Sequence, residues 1–129
     1  MTSFLHTMIR VGNLEKSIEF YTSVLDLQFI RKHEVPAKKF TLVFLGNGPK
    51  EENILLELTH NWETDRYSLG EGFGHLAFGT SDLHGLCKKI QDFGCQVTDK
   101  PGSLKTSRGK NVAFAEDPDG YELELIETD

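Results

Sequence analysis

Two histidines and two glutamates recur at equivalent places along this chain of 129 residues. His6 and His75 each stand in an apolar segment ahead of a helix-capping residue, and Glu57 and Glu124 each stand between two leucines. A carboxylate in such a strand is costly to bury unless another group neutralises it. Imidazole and carboxylate donors together suit Zn²⁺, Ni²⁺, Co²⁺, Mn²⁺ or Fe²⁺. The pattern therefore predicts a divalent-metal site with positions left for water, which is typical of a catalytic centre.

A structural interpretation of the same residues has to be weighed against the metal site. A single histidine on a strand is more often a structural residue than a ligand, and a strand glutamate usually faces solvent. Glu122 shares a strand face with Glu124, so alternation alone does not separate them; the repeated Leu-Glu-Leu triplet favours Glu124. Repetition of the whole His/Glu pair favours the metal. The spacing leaves open whether one chain completes the site or two chains share it.

The elements that position these side chains are predicted to be two copies of β-α-β-β-β. In the first copy, Asn13 caps the helix, and the strands are Phe4–Val11, Leu27–His33, Phe40–Leu45 and Asn53–Thr59. In the second copy, Asp82 caps the helix, which Gly94 ends, and the strands are Phe73–Gly79, Cys95–Val97, Asn111–Glu116 and Tyr121–Ile126. The basic segment Lys100–Lys110 is predicted to be a mobile loop.

The two copies define the predicted fold class. It is α+β, with two βαβββ modules forming a curved eight-stranded sheet around a metal cleft and the helices outside. One module is too small to bury a core alone, so pairing of the modules is expected. We predict a single domain over residues 1–129, with module 1 at 1–60, a linker at 61–72 and module 2 at 73–129.

Composition excludes several classes of protein. The net charge of −6 has the wrong sign for a nucleic-acid-binding surface. No apolar run approaches the ~18 residues of a membrane span, and the first residues lack the pattern of an export signal. Cys87 and Cys95 do not make a disulfide framework and are expected to be buried thiols. A cytoplasmic protein is therefore predicted.

Several motifs taken together are similar to a known family over essentially the whole chain. They are Leu5-His6-Thr7-Met8-Ile9-Arg10-Val11, Ser17-Ile18-Glu19-Phe20-Tyr21, Leu56-Glu57-Leu58-Thr59-His60-Asn61-Trp62, Phe73-Gly74-His75 and Glu116-Asp117-Pro118-Asp119-Gly120-Tyr121. The chain resembles glyoxalase I, the lactoylglutathione lyases of the vicinal oxygen chelate superfamily. The Asp-Pro-Asp-Gly turn occurs across that superfamily, whereas the first and third motifs together are specific to glyoxalase I.

The resemblance implies a set of metal ligands and a reaction. The ligands fall on His6, Glu57, His75 and Glu124, with one His/Glu pair from each subunit of a homodimer. The implied substrate is the hemithioacetal of methylglyoxal and glutathione, and the product is S-lactoylglutathione. The resemblance implies that Glu124 takes a proton from C1 and returns it to C2, with Glu57 as its counterpart, and that a bound metal would stabilise the enediolate.

The resemblance also implies contacts to glutathione and a choice of metal. Arg10 and Asn61 match positions that bind the γ-glutamyl end. The basic residues of the predicted loop are expected at the glycyl carboxylate, namely Lys105, Arg108 and Lys110. Glu71 stands where some members have an arginine, so the choice between glutathione and another thiol cofactor stays open. The compact bacterial type that the chain resembles favours Ni²⁺, then Co²⁺, with Zn²⁺ as the alternative.

Three other functions are less well supported. An extradiol dioxygenase needs two histidines and one carboxylate around Fe²⁺, and Glu57 would be an extra ligand. An antibiotic-sequestering module does not need the complete set of four ligands. The Gly-rich segment Gly70–Gly74 precedes a strand and lacks the spacing of a phosphate loop, so nucleotide binding is weakly supported.

Overall fold

A computed structural model describes residues 1–50 and 53–129 of the chain. The chain divides into two compact units, Met1–Ser68 and Leu69–Asp129. Residues 51 and 52 of the first predicted module lie outside the described residues. Among the residues described, no helix has the length and apolar character needed to cross a membrane.

The first unit contains a four-stranded sheet in the order β1-β4-β3-β2. Its strands are β1 (His6–Arg10), β2 (Gln28–Val35), β3 (Phe40–Gly46) and β4 (Leu55–Asn61). Strand β1 runs parallel to β4, and the other neighbours are antiparallel. Between β1 and β2 lie helix α1 (Leu14–Glu19) and a π-helical turn at Phe20–Val24, and a 3₁₀ turn at Pro36–Lys38 joins β2 to β3.

The second unit repeats this plan with the order β5-β8-β7-β6. Its strands are β5 (His75–Thr80), β6 (Val97–Lys105), β7 (Asn111–Glu116) and β8 (Glu122–Glu127), with helix α2 at Leu83–Phe93. Here too the first and last strands are parallel neighbours. The predicted α+β class and the βαβββ order are therefore confirmed.

The strand registers show that the glutamates occupy equivalent positions. Met8 lies opposite Glu57 and Ala77 lies opposite Glu124 across the parallel pairs. On the antiparallel side of the same strands, Phe44 lies opposite Glu57 and Phe114 lies opposite Glu124. Each glutamate therefore has a phenylalanine on its antiparallel side, whereas the residues on its parallel side, Met8 and Ala77, differ.

Both helices begin where the sequence predicts. The Asn13 side chain accepts a hydrogen bond from the Lys16 backbone N–H at 3.1 Å, and Asp82 accepts one from the Gly85 N–H at 3.0 Å. These side chains satisfy backbone donors that a helix start leaves unpaired. Gly94 ends α2 in the left-handed region with φ at 104°, where a residue without a Cβ is favoured.

The predicted loop over Lys100–Lys110 is wrong for its first half. Strand β6 continues to Lys105, and Leu104 and Lys105 pair with Val112 and Asn111 on β7. Pro101 and Gly102 are tolerated because β6 is an edge strand whose outer side needs no ladder partner. The turn is thereby confined to the residues after Lys105, closed by a hydrogen bond from the Thr106 N–H to the Lys110 carbonyl at 2.8 Å.

The core of each unit lies between one face of its sheet and its helix. Strand alternation places Leu56 and Leu58 of β4 on this face in the first unit, and Leu123 and Leu125 of β8 in the second. The opposite face carries His6 and Glu57 in the first unit, with His75 and Glu124 in the second. The apolar packing on one face therefore holds the strands whose other face presents the polar side chains.

Candidate metal centre

The first unit brings His6 and Glu57 into direct contact. His6 Nε2 lies 2.9 Å from Glu57 Oε1. Counted over the whole residue, Glu57 is only 8% exposed, and its two neighbours in the strand, Leu56 and Leu58, are buried as well. The Thr59 hydroxyl donates a hydrogen bond to Glu57 Oε2 at 3.0 Å. Both carboxylate oxygens therefore have a polar partner, which offsets part of the cost of burial.

The second unit brings His75 and Glu124 together in the same way but less tightly. His75 Nε2 lies 3.3 Å from Glu124 Oε1, and the side chains are 39% and 22% exposed. Glu122 shares the face, and its Oε1 lies 3.8 Å from His75 Nδ1. The shorter distance is the one to Glu124, the residue that the Leu-Glu-Leu repeat favours.

An aromatic ring lies against each histidine, which the sequence prediction did not include. Phe44 meets the His6 ring edge to face, with centroids 5.4 Å apart and planes at 80°. Phe114 meets His75 at 5.9 Å and 76°. Phe44 and Phe114 occupy equivalent positions in the two copies of the repeat, so comparing the two copies in the sequence could have identified both rings. The rings limit the orientations that each imidazole can take.

The surroundings of the two pairs differ in charge. The Arg31 guanidinium carbon lies 4.1 Å from the centroid of the Phe44 ring, a cation–π arrangement. In the second unit, Asp99 occupies the position opposite Phe114, as Arg31 does opposite Phe44. A cation in one unit is thus replaced by an anion in the other.

The donor distances can be compared with those required by a metal ion. Two ligands at ~2.1 Å from one ion are about 3.0 Å apart at octahedral angles and about 3.4 Å apart at tetrahedral angles. The observed separations of 2.9 Å and 3.3 Å are each within 0.1 Å of one of these two values. Within the described residues, no three side chains of the ligating types are arranged to hold a metal by themselves. Each unit therefore offers a pair of donors that fits part of a divalent-metal site.

The residues assigned to the γ-glutamyl end lie at one end of the first sheet. Arg10 ends β1 opposite Thr59 on β4, and Asn61 is two residues further along β4 on the same face. The Asn61 side-chain N–H₂ donates to the Tyr67 hydroxyl at 3.0 Å. Tyr67 therefore orients the amide, a role that sequence spacing did not reveal.

The residues assigned to the glycyl carboxylate all lie in the second unit. Lys105 is exposed at the end of β6, and the Lys110 ammonium donates to Asp129 Oδ1 at 3.1 Å. Arg108 and Lys110 line an open groove of about 440 Å³ that also includes Glu127 and Asp129. The groove is thus mixed in charge, with cations and carboxylates on its walls.

The Asp117-Pro118-Asp119-Gly120 turn has a structural explanation. Asp117 is buried, and its Oδ1 accepts hydrogen bonds from the backbone N–H groups of Asp119 and Tyr121, both at 2.9 Å. Gly120 has φ at 90°, which suits a residue without a Cβ. The turn sets the start of β8 and so determines which face Glu124 occupies.

Comparison with known proteins places the chain among related sequences. The family model described as "Glyoxalase/Bleomycin resistance protein/Dioxygenase superfamily" matches residues 3–125. A "Probable lactoylglutathione lyase" of Synechocystis is 53% identical over 125 residues, covering 96% of this chain and 94% of the relative. A "Lactoylglutathione lyase" of Escherichia coli O157:H7 is 46% identical over 123 residues, covering 95% of this chain and 90% of the relative.

Solved structures resemble the chain as well. Glyoxalase I from Zea mays is 41% identical with a TM-score of 0.88, covering 97% of this chain, which spans 44% of the maize chain. A glyoxalase I of Leishmania major, described as trypanothione-dependent, is 40% identical with a TM-score of 0.83. That match covers 98% of this chain and 87% of the Leishmania chain.

Proposed function

The chain belongs to the glyoxalase/bleomycin resistance protein/dioxygenase superfamily, and we propose that it works as a lactoylglutathione lyase in methylglyoxal detoxification. The resemblance to glyoxalase I is confirmed by relatives of that name at 46% and 53% identity over nearly full length. The substrate is the hemithioacetal of methylglyoxal and glutathione. The reaction is an isomerisation, because a hydrogen leaves C1 and one is added at C2 without gain or loss of atoms.

The proposed metal ligands are His6, Glu57, His75 and Glu124. The observation that carries this assignment is that a His/Glu pair recurs at equivalent strand registers, with N···O distances of 2.9 Å and 3.3 Å. Imidazole and carboxylate donors suit a divalent first-row metal, and the two carboxylates balance its charge. When bound, the metal supplies Lewis-acid stabilisation for the anion formed by loss of the C1 proton.

A homodimer with shared sites completes the ligand set in this proposal. Each unit presents one pair, so two pairs have to meet at one metal. We propose that His6 and Glu57 of one subunit meet His75 and Glu124 of the other. The family resemblance supports this arrangement, and the division of the donors between two compact units is compatible with it.

The proton transfer is assigned to Glu124. Its side chain is 22% exposed, against 11% for Glu57, so its carboxylate is the more accessible to substrate. Glu124 takes the proton from C1 and delivers it to C2, which a carboxylate can do when it lies within reach of both carbons. Glu57 acts as its counterpart on the opposite side, fixed by Thr59.

Glutathione is held at its two ends in this proposal. Arg10 supplies a cation to the γ-glutamyl carboxylate, and Asn61, oriented by Tyr67, supplies hydrogen bonds. Lys105 and Lys110 bind the glycyl carboxylate. Lys110 would have to exchange its present partner Asp129 for the substrate, which costs little because Asp129 is fully exposed and its ion pair is weak.

The metal and the thiol are the finer parts of the proposal. Ni²⁺ is favoured, followed by Co²⁺ and then Zn²⁺, because the chain resembles the compact bacterial type and covers 94% of the Synechocystis relative and 90% of the Escherichia coli relative. Glutathione is the favoured thiol. Glu71 and the 40% identity to a glyoxalase I described as trypanothione-dependent support testing trypanothione as the second candidate thiol. A cytoplasmic location is part of the same proposal, supported by two free thiols.

The test is metal reconstitution. Protein stripped with a chelator receives Ni²⁺, Co²⁺, Mn²⁺ or Zn²⁺ separately, and thioester formation from methylglyoxal and glutathione is followed by absorbance. We expect activity with Ni²⁺ and Co²⁺ and little with Zn²⁺. Activity with Zn²⁺ would keep the reaction and refute the metal choice. Absence of activity with every metal and with both thiols would refute the proposed function.

A further inference from the structure

Glu57 and Glu124 occupy equivalent positions, but the residue that follows each on the same strand face differs. Thr59 stands two residues after Glu57 on β4, and Ile126 stands two residues after Glu124 on β8. Residues two apart on a strand point to the same face and lie about 6.6 Å apart along it. A threonine hydroxyl can therefore reach the glutamate, and an isoleucine methyl group offers it no hydrogen bond.

Thr59 fixes the Glu57 carboxylate in the first unit. Thr59 is 7% exposed and Glu57 is 8% exposed, so water competes little for the hydrogen bond between them. The hydroxyl donates to Oε2 at 3.0 Å while His6 Nε2 lies 2.9 Å from Oε1. Swinging the carboxylate away would leave buried polar atoms unpaired, which is the costly case for a hydrogen bond to a charged group.

Glu124 is held less firmly in the second unit. Its Oε1 lies 3.3 Å from His75 Nε2, and its side chain is more exposed than that of Glu57. Ile126 has no hydroxyl, so Glu124 lacks the hydrogen bond that Glu57 receives from its own strand. Ala77 lies opposite Glu124, where the first unit has the larger Met8 opposite Glu57.

We infer that Thr59 is a positioning residue that makes Glu57 the stationary carboxylate of the metal centre, whereas Ile126 leaves Glu124 free to move during proton transfer. The inference rests on the proposed function, in which both glutamates bind the metal and Glu124 carries the proton. It adds the reason why two carboxylates at equivalent positions have different tasks: a single hydroxyl is present on one strand and absent on the other.

The first experiment measures metal affinity without turnover. Thr59→Val keeps the side-chain shape and removes the hydroxyl, and Thr59→Ser keeps the hydroxyl. Titration of the stripped protein with Ni²⁺ against a competing chelator should show binding weakened about 10- to 100-fold in the valine variant. The serine variant should stay close to the wild type.

A matched control comes from the same sheet. Thr41 is buried and its hydroxyl accepts a hydrogen bond from Trp62 Nε1 at 2.8 Å, so Thr41→Val also removes a buried threonine hydroxyl. Because Thr41 does not contact the His6–Glu57 pair, this variant should bind Ni²⁺ as the wild type does. Circular dichroism melts establish that each variant is folded.

The second experiment adds the hydroxyl to the other strand. Ile126→Thr places a donor beside Glu124, and Ile126→Val has nearly the same shape without the donor. If the new hydroxyl holds the carboxylate, kcat should fall roughly 10-fold in the threonine variant relative to the valine variant. Ile126 also lines the groove that contains Lys110, so the comparison is made between two variants altered at the same position, and kcat is the quantity that reports the moving carboxylate.

The outcomes separate this inference from the proposed function. A folded Thr59→Val variant with the Ni²⁺ affinity of the wild type would overturn the inference, as would a serine variant as weak as the valine variant. Equal kcat in the two Ile126 variants would overturn the part that concerns Glu124. A wild-type protein that binds Ni²⁺ but does not isomerise the hemithioacetal would refute the function alone. A wild-type protein that binds no divalent metal would refute both.

Discussion

Replacement of Glu57 by glutamine separates a ligand from a structural residue. Glu57 is 8% exposed and contacts His6 Nε2 and the Thr59 hydroxyl at 2.9 Å and 3.0 Å. Glu57→Gln preserves the shape, and the amide oxygen can still accept the hydrogen bond from Thr59. Since the substitution removes a buried charge together with its interaction with His6, the free energy of unfolding of the metal-free variant should lie within about 1 kcal/mol of the wild-type value.

The metal-bound state should respond very differently. At a metal concentration 100 times Kd, binding stabilises the wild type by about 2.7 kcal/mol, which corresponds to roughly 8–13 °C in Tm for a chain of this size. Loss of one of two anionic ligands should weaken binding about 100-fold, at least as much as the loss of an outer-shell partner. The same metal concentration then stabilises the variant by only about 0.4 kcal/mol, or about 1–2 °C.

The assay is a thermal melt with and without Ni²⁺ for both proteins. Glu122→Gln is the matched control, because Glu122 is 52% exposed on the equivalent strand and lies 3.8 Å from His75 Nδ1. We expect Glu122→Gln to keep most of the metal-induced shift. A full shift in Glu57→Gln would show that Glu57 does not bind the metal. A metal-free variant that melts far below the wild type would show that Glu57 is a structural residue.

The remaining predictions concern other residues of the chain. Glu124→Gln should lower kcat about 10²- to 10⁴-fold while metal binding is largely retained; normal turnover would contradict its role as the base. Tyr67→Phe releases the Asn61 amide, and KM for the glutathione hemithioacetal should rise roughly 2- to 10-fold at unchanged kcat; a change in kcat alone would argue against this role. Burial raises the pKa of the Cys87 thiol above its ordinary value, whereas Cys95, also expected to be buried, is only half-buried. Iodoacetamide at pH 8 should therefore label Cys95 first, and equal labelling rates would contradict this. Because the folded state holds the Cys87 proton more tightly than the unfolded state does, the free energy of unfolding gains its full contribution from this thiol below the pKa that the thiol has in the unfolded chain. That contribution is lost as pH rises through the pKa of the folded state. Urea melts should show that Cys87→Ala removes this decline in stability.

Much of the fold follows from local signals in the sequence. Asn13 and Asp82 cap helices because their short side chains reach backbone donors a few residues on, and this depends only on neighbours in sequence. The strands recur in the same order in both copies because apolar runs of the same type and spacing recur. The repeated Leu-Glu-Leu triplet also selects Glu124 over Glu122, and His75 lies closer to Glu124 than to Glu122.

Other features departed from the local pattern. The helix after Asn13 changes at Phe20 into a π-helical turn, closed by a hydrogen bond from the Leu25 N–H to the Phe20 carbonyl. Strand β6 extends through a basic segment with proline and glycine, because β7 offers a ladder partner as far as Lys105. Pairing with a distant strand thus overrides the local preference of Lys100–Lys105 for a loop.

The sequence by itself determined the kinds of donor, their repetition and the family to which the chain belongs. These depend on residue types and on periodicity, which can be read along the chain. The tertiary structure decided which polar atoms meet: Thr59 with Glu57, Tyr67 with Asn61, and Phe44 with His6. These contacts require strand register and side-chain direction, and both are set by packing across the sheet.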